Sequence, residues 1–127
     1  MENITTEIVK ELILKNGIGL KATQDKICIP IINRMYKKMK GGIKFSDIYV
    51  KDGKICDGHH RFIASLLAEY PIDSVPGENT SATSVVPWRS VTFVEDDYDS
   101  PEVIARLNEQ DAKYNGIPIA QIVELLK

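Results

Sequence analysis

The chain's two histidines stand side by side at His59 and His60, between Asp57-Gly58 and Arg61. Those residue types at that spacing suit the binding of a phosphate. Gly58 has no Cβ and lets a ligand approach the backbone closely. A helix that starts after it presents N–H groups with no intrahelical partner, and its dipole places partial positive charge on them. An anion is the natural guest of such a turn. Arg61 adds a planar fork of donors matched to phosphate oxygens, and the histidines donate, accept or shuttle protons near neutral pH. Adjacent helical residues point apart, so only one histidine faces the same guest as Arg61. A two-histidine metal site is disfavoured, because the chain has no third histidine and adjacent residues chelate poorly.

The neighbouring residues supply the scaffold for this turn. Ile48-Tyr49-Val50 and Lys54-Ile55-Cys56 flank Lys51-Asp52-Gly53, and Asp-Gly between two β-prone runs is a hairpin signal. Downstream, Phe62, Ile63, Leu66, Leu67 and Tyr70 recur at helical spacing until Pro71. The block reads as hairpin, glycine turn, helix. Asp57 either caps that helix or takes a chemical role.

Asp57-Gly58-His59-His60-Arg61-Phe62-Ile63-Ala64 behind an Asp-Gly hairpin resembles the signature of ParB-like domains in the ParB/sulfiredoxin superfamily. The resemblance covers about residues 26–70. It implies a ParB/sulfiredoxin-like fold and a nucleotide, ATP or CTP, or a nucleic-acid phosphate at the turn. It further implies phosphate contacts from Gly58, His60 and Arg61, and catalytic roles for Asp57, His59, His60 and Arg61, with Asp57 a base or Mg2+ ligand. His60 matches the histidine that precedes the sulfiredoxin arginine, whereas His59 stands where sulfiredoxin has its reactive cysteine, so sulfiredoxin chemistry is not expected. The Asp-Gly-His-His-Arg form resembles free-serine kinases and toxin-associated ParB-like domains, some of which carry the label nuclease. The helix-turn-helix of partition ParB proteins has no counterpart in the sequence.

Along the rest of the chain, residues 6–15 predict a helix with Ile8, Val9, Leu12 and Ile13 inward, stopped by Asn16-Gly17. A turn through Lys21–Asp25 leads to a brief strand at Lys26-Ile27-Cys28-Ile29. Pro30 opens a helix to residue 40 with Ile32, Met35, Tyr36 and Met39 on one face. Its other face, Arg34, Lys37, Lys38 and Lys40, reads as solvated or as an electrostatic guide for nucleic acid. Residues 71–87 read as one long loop, either a lid able to cover the Gly58 turn or a mobile connector. Residues 88–94 alternate as a strand, and Glu95-Asp96-Asp97-Tyr98-Asp99 reads as a solvated loop or a magnesium ligand set. Ser100-Pro101-Glu102 starts a helix with Val103, Ile104 and Leu107 inward, ending near Asn115-Gly116. A last helix from Pro118 turns Ile119, Ile122, Val123 and Leu126 inward.

The 127 residues predict one domain, 1–127, of α/β or α+β class: a small mixed sheet with about five helices. A formal charge of −2 argues against a strongly basic nucleic-acid binder. The charge is uneven, with 12 Lys+Arg against 7 Asp+Glu in residues 1–63 and 4 against 11 in residues 64–127. The basic half favours an anionic ligand, and the acidic half offers a surface for a protein partner. Cys28 and Cys56 are too few for a disulfide framework or zinc site, and Cys56 reads as a buried structural thiol. With no membrane-length apolar run and no signal segment, a cytoplasmic protein is expected, export by a specialised secretion system being compatible with that. The alternative to a phosphate-binding enzyme is a non-catalytic DNA- or protein-binding module.

Overall fold

The structure is a computed structural model that describes residues 3–16, 18–78 and 83–127. Five helices and five short strands follow one another along them: α1 Thr6–Asn16, β1 Lys26–Cys28, α2 Ile29–Lys40, β2 Ile48–Lys51, β3 Lys54–Asp57, α3 His59–Ala68, β4 Ser74–Pro76, β5 Thr92–Val94, α4 Pro101–Asn115 and α5 Ile119–Leu125. The class is α+β, as expected. Asp52 and Gly53 take positive φ of 52° and 73°, the two-residue turn whose twist suits an antiparallel pair. Ser100 Oγ accepts from Val103 N–H at 3.3 Å, and Gly116 ends α4 in the left-handed conformation. Of the expected stop at Asn16-Gly17, Gly17 lies outside the described residues.

The strands form two sheets rather than one. β1 and β5 pair in parallel, and a second sheet has the order β3-β2-β4. β2 is antiparallel to β3 and parallel to β4. The 21–22 segment, expected as a turn, is extended: Lys21 N–H donates to Gly53 O and Ile55 N–H to Lys21 O, while Val86 N–H donates to Ala22 O. The main core gathers Val9, Ile27, Ile32, Tyr36, Met39 and Ile63, so the apolar faces of α1, α2 and α3 meet there. Burial of these side chains contributes about 1.5–3 kcal/mol each. A smaller cluster of Ile43, Ala112 and Ile122 attaches the α4–α5 hairpin.

Three readings need correction. The 71–87 loop contains β4, whose Ile48–Ser74 to Val50–Pro76 register adds a parallel edge strand. Pro76 is tolerated because an edge position needs no donor on its free side. This part of the loop lies on the sheet, where Gly77 packs so closely on Cys56 and Tyr49 that a Cβ would meet the Cys56 Cβ at 2.9 Å. Residues 79–82 of the expected lid lie outside the described residues. Trp88–Ser90 is a 3-10 turn and not strand, since Ser90 N–H closes on Pro87 O at 2.8 Å and Trp88 Nε1 donates to Leu20 O at 2.9 Å. In α5 only Ile122 is buried, while Ile119 and Val123 are 39% and 42% exposed. The small second cluster has room for one face of a short helix.

Candidate functional site

Gly58 joins β3 to α3 with φ 100° and ψ 29°. A Cβ there would lie 2.7 Å from Ile48 Cγ2 and 2.8 Å from Arg61 Nη2. Only glycine fits, because the conformation disfavours L side chains and the space is taken. No side chain caps α3, so Asp57 is not its cap. Phe62 N–H donates to Gly58 O at 2.8 Å. Asp57 instead reaches Arg61 Nη2 at 3.4 Å with its side chain 71% exposed, an i,i+4 contact of the kind that contributes little to stability.

Both histidines turn toward the 23–28 segment. His59 is buried, and its Nε2 accepts Thr23 N–H at 3.0 Å. The Thr23 hydroxyl is 3.4 Å from the same nitrogen but donates to Ile55 O at 2.6 Å. His60 Nε2 accepts Cys28 N–H at 3.0 Å. A neutral ring whose Nε2 accepts carries its proton on Nδ1. Burial lowers the His59 pKa, against the opposing charge of Asp57. Burial and then the neighbouring His59 bring His60 down to about 4, against the pull of Asp99. The rings are neutral at pH 7, His59 fastening α3 to Thr23 and His60 fastening it to the end of β1. Their Nε2 atoms are engaged by backbone, which leaves Nδ1 as the edge for any ligand.

Arg61 is placed differently. Its side chain is 20% exposed, and its Nε is buried without a hydrogen-bond partner among the described residues. It lines a cleft of about 320 Å³ together with Arg34 and Lys38 of α2, Lys44 and Phe45 of the following segment, and Tyr114 of α4. Arg34 binds Asp97 through Nη1 and Asp99 through Nη2, the latter at 2.8 Å. That pairing and a backbone N–H bond from Asp99 hold the Asp97 carboxyl below its usual range, against a desolvation effect of opposite sign. Lys38, with its side chain 5% exposed, meets Asp111 of α4 at 2.7 Å. Lys44 is fixed through its backbone, with N–H to Asn115 Oδ1 at 2.7 Å and Asn115 Nδ2 to its carbonyl at 3.1 Å. Its ammonium makes no ion pair among the described residues, so Lys44 and the Arg61 Nε are the cationic groups left for a guest.

Arg34 and Lys38, expected on a solvated or guiding face, are instead ion-paired at the cleft, and Lys38 is buried. Their i,i+4 spacing on α2 was the available signal. Lys44, Tyr114 and Asp111 carried no local motif. The acidic run is likewise tied down: Asp97 and Asp99 hold Arg34, and Glu95 accepts from the Thr6 hydroxyl at 3.1 Å. Among the described residues no group of three or more His, Cys, Asp or Glu converges on a metal position, so Asp57 has no assembled ligand set around it. No disulfide joins Cys28 and Cys56; Cys28 is buried, and Cys56, expected as a buried thiol, is only half-buried because its strand carries it to the edge of the core. No helix among the described residues is long and apolar enough to cross a membrane. No protein-family model, curated protein or solved structure matches the chain.

Proposed function

We propose that the protein is a ParB-like domain that binds a phosphorylated ligand, a nucleotide or a nucleic-acid phosphate, where the Gly58 turn meets the cationic cleft. The observation that carries this reading is the buried Arg61 Nε, without a partner among the described residues, in a cleft that also holds Arg34, Lys38 and Lys44. A buried donor left unmatched is costly, and a phosphate oxygen relieves it. The N–H groups at the start of α3 extend the same cradle. ATP or CTP with Mg2+ is the nucleotide form of the proposal, and Asp57 is the carboxylate at the turn for the metal or an attacking hydroxyl. Turnover at such a site is phosphoryl transfer or phosphodiester hydrolysis, driven by positioning and charge neutralisation. A toxin-related effector is one setting for that chemistry.

A second reading, a module that binds without turnover, is favoured by the histidines. Both are neutral, with Nε2 engaged by Thr23 and Cys28 backbone, which is the arrangement of positioning groups. The test is a calorimetric titration of wild type and Arg61→Ala with nucleoside triphosphates, pyrophosphate and short DNA, with and without magnesium. Loss of a charged hydrogen bond predicts at least about ten-fold weaker binding by the variant. Product formation in the same samples separates enzyme from module. Silence of the wild type across the panel contradicts phosphate binding, with or without turnover.

A further inference from the structure

A second depression, of about 310 Å³, shares no residue with the cationic cleft. It runs between α1 and the stretch from Trp88 to Phe93. Ile13 and Leu14 form one wall and Trp88, Val91 and Phe93 the other, with Lys10 and Arg89 at the rim. Lys10, Ile13 and Leu14 lie at i, i+3 and i+4, so one face of α1 borders the trough. Leu14 is 85% exposed although it stands beside an apolar wall. β5 pairs with β1 alone among the described residues, so its other edge has no strand partner there.

The charge at this trough is unbalanced. Lys10 and Arg89 are exposed, and neither side chain forms an ion pair or hydrogen bond among the described residues. Glu11 pairs with Lys15 at 2.6 Å and Glu95 accepts from Thr6, while Glu7, one turn before Lys10, stands outside the lining of the trough. Two cations flanking an apolar trough complement a segment that alternates apolar side chains with carboxylates. A membrane surface fits less well, because lipid-binding faces gather about four to eight basic residues and the trough has two. We propose that this trough docks an extended acidic-apolar segment of a partner protein. Its apolar side chains enter between Leu14 and Trp88, its carboxylates meet Lys10 and Arg89, and its backbone follows the open edge of β5.

Trp88 is the only tryptophan of the chain, so its fluorescence reads the trough directly. A displayed random-peptide library is panned against wild type, and the peptides recovered are titrated while Trp88 emission is followed. The expected result is enrichment of Asp or Glu around Leu, Ile or Phe, with a saturable change in emission. Lys10→Glu combined with Arg89→Glu weakens these peptides at least about ten-fold, the scale of two exposed charges reversed, and lysine-substituted peptides recover the loss. Both positions are exposed, and an unchanged far-ultraviolet circular dichroism spectrum verifies the fold of the variant. Three outcomes overturn the proposal: no enriched class, binding indifferent to the charge reversal, or an emission change with anionic vesicles and none with peptides.

Discussion

Replacing Gly58 by alanine tests the local geometry on which the site depends. The backbone there has φ 100°, and the left-handed region costs an L residue about 1–2 kcal/mol. The new Cβ would also sit 2.7 Å from Ile48 Cγ2 and 3.1 Å from Ile48 Cβ. Ile48 is 2% exposed and has little room to retreat, which adds about 1–3 kcal/mol for overpacking. Arg61 Nη2, at 2.8 Å, is the softer neighbour, and its displacement draws the guanidinium out of register with the cleft. The expected loss is about 2–5 kcal/mol by urea denaturation at unchanged m-value, with weakened anion binding. Ile48→Ala in the same chain relieves part of the clash, so a double-mutant cycle shows coupling of at least about 0.5 kcal/mol. A loss below about 0.5 kcal/mol with anion affinity intact refutes the reasoning, since surface positions give values of that size.

Further expectations concern the charges. Asp111→Ala strands the Lys38 ammonium in a site 4% exposed and costs about 2–3 kcal/mol in a denaturant melt, whereas Lys38→Met, which leaves the more exposed partner unpaired, costs less. Equal losses contradict that asymmetry. His60 holds its proton less tightly folded, at about 4, than at its usual 6.5, so the unfolded chain takes up more protons between those values. Stability therefore falls as pH drops from 6.5 toward 4, by up to about 3 kcal/mol. His60→Asn flattens that part of a pH–melting profile, and an unchanged profile excludes the linkage. Asp99→Asn frees one of the two acids on Arg34, and pyrophosphate binding tightens about five-fold by calorimetry, the equivalent of about 1 kcal/mol. Weaker binding by that variant means Asp99 helps the ligand instead of competing with it.

What the sequence made legible was local. Ile32, Met35, Tyr36 and Met39 mark α2 by spacing alone, and Asp52-Gly53 marks the hairpin because few dipeptides accept two positive φ angles. Gly58 before a helical run likewise announced a turn with free N–H groups. β4 escaped because three residues carry no period, and its pairing with β2 is set by tertiary contact. Ile119 and Val123 matched an apolar stripe, yet the α4–α5 hairpin offers too little core to cover both. Within the site, Lys38 resembled Lys37 and Lys40 in sequence; what sets it apart is Asp111, brought across by the packing of α4. His60 was expected to share a guest with Arg61 and His59 to tune it or act as base, and only the fold places Thr23 and Cys28 amides against their Nε2 atoms.

The most direct test of the central claim is a nitrogen-15 NMR titration that follows the Arg61 Nε–H signal, assigned with Arg61→Lys, as pyrophosphate is added. The account predicts a saturable shift of that signal, together with those of the His59, His60 and Arg61 backbone amides. An Arg61 Nε–H signal that stays in place while pyrophosphate binds elsewhere, or that stays in place with no binding at all, contradicts it.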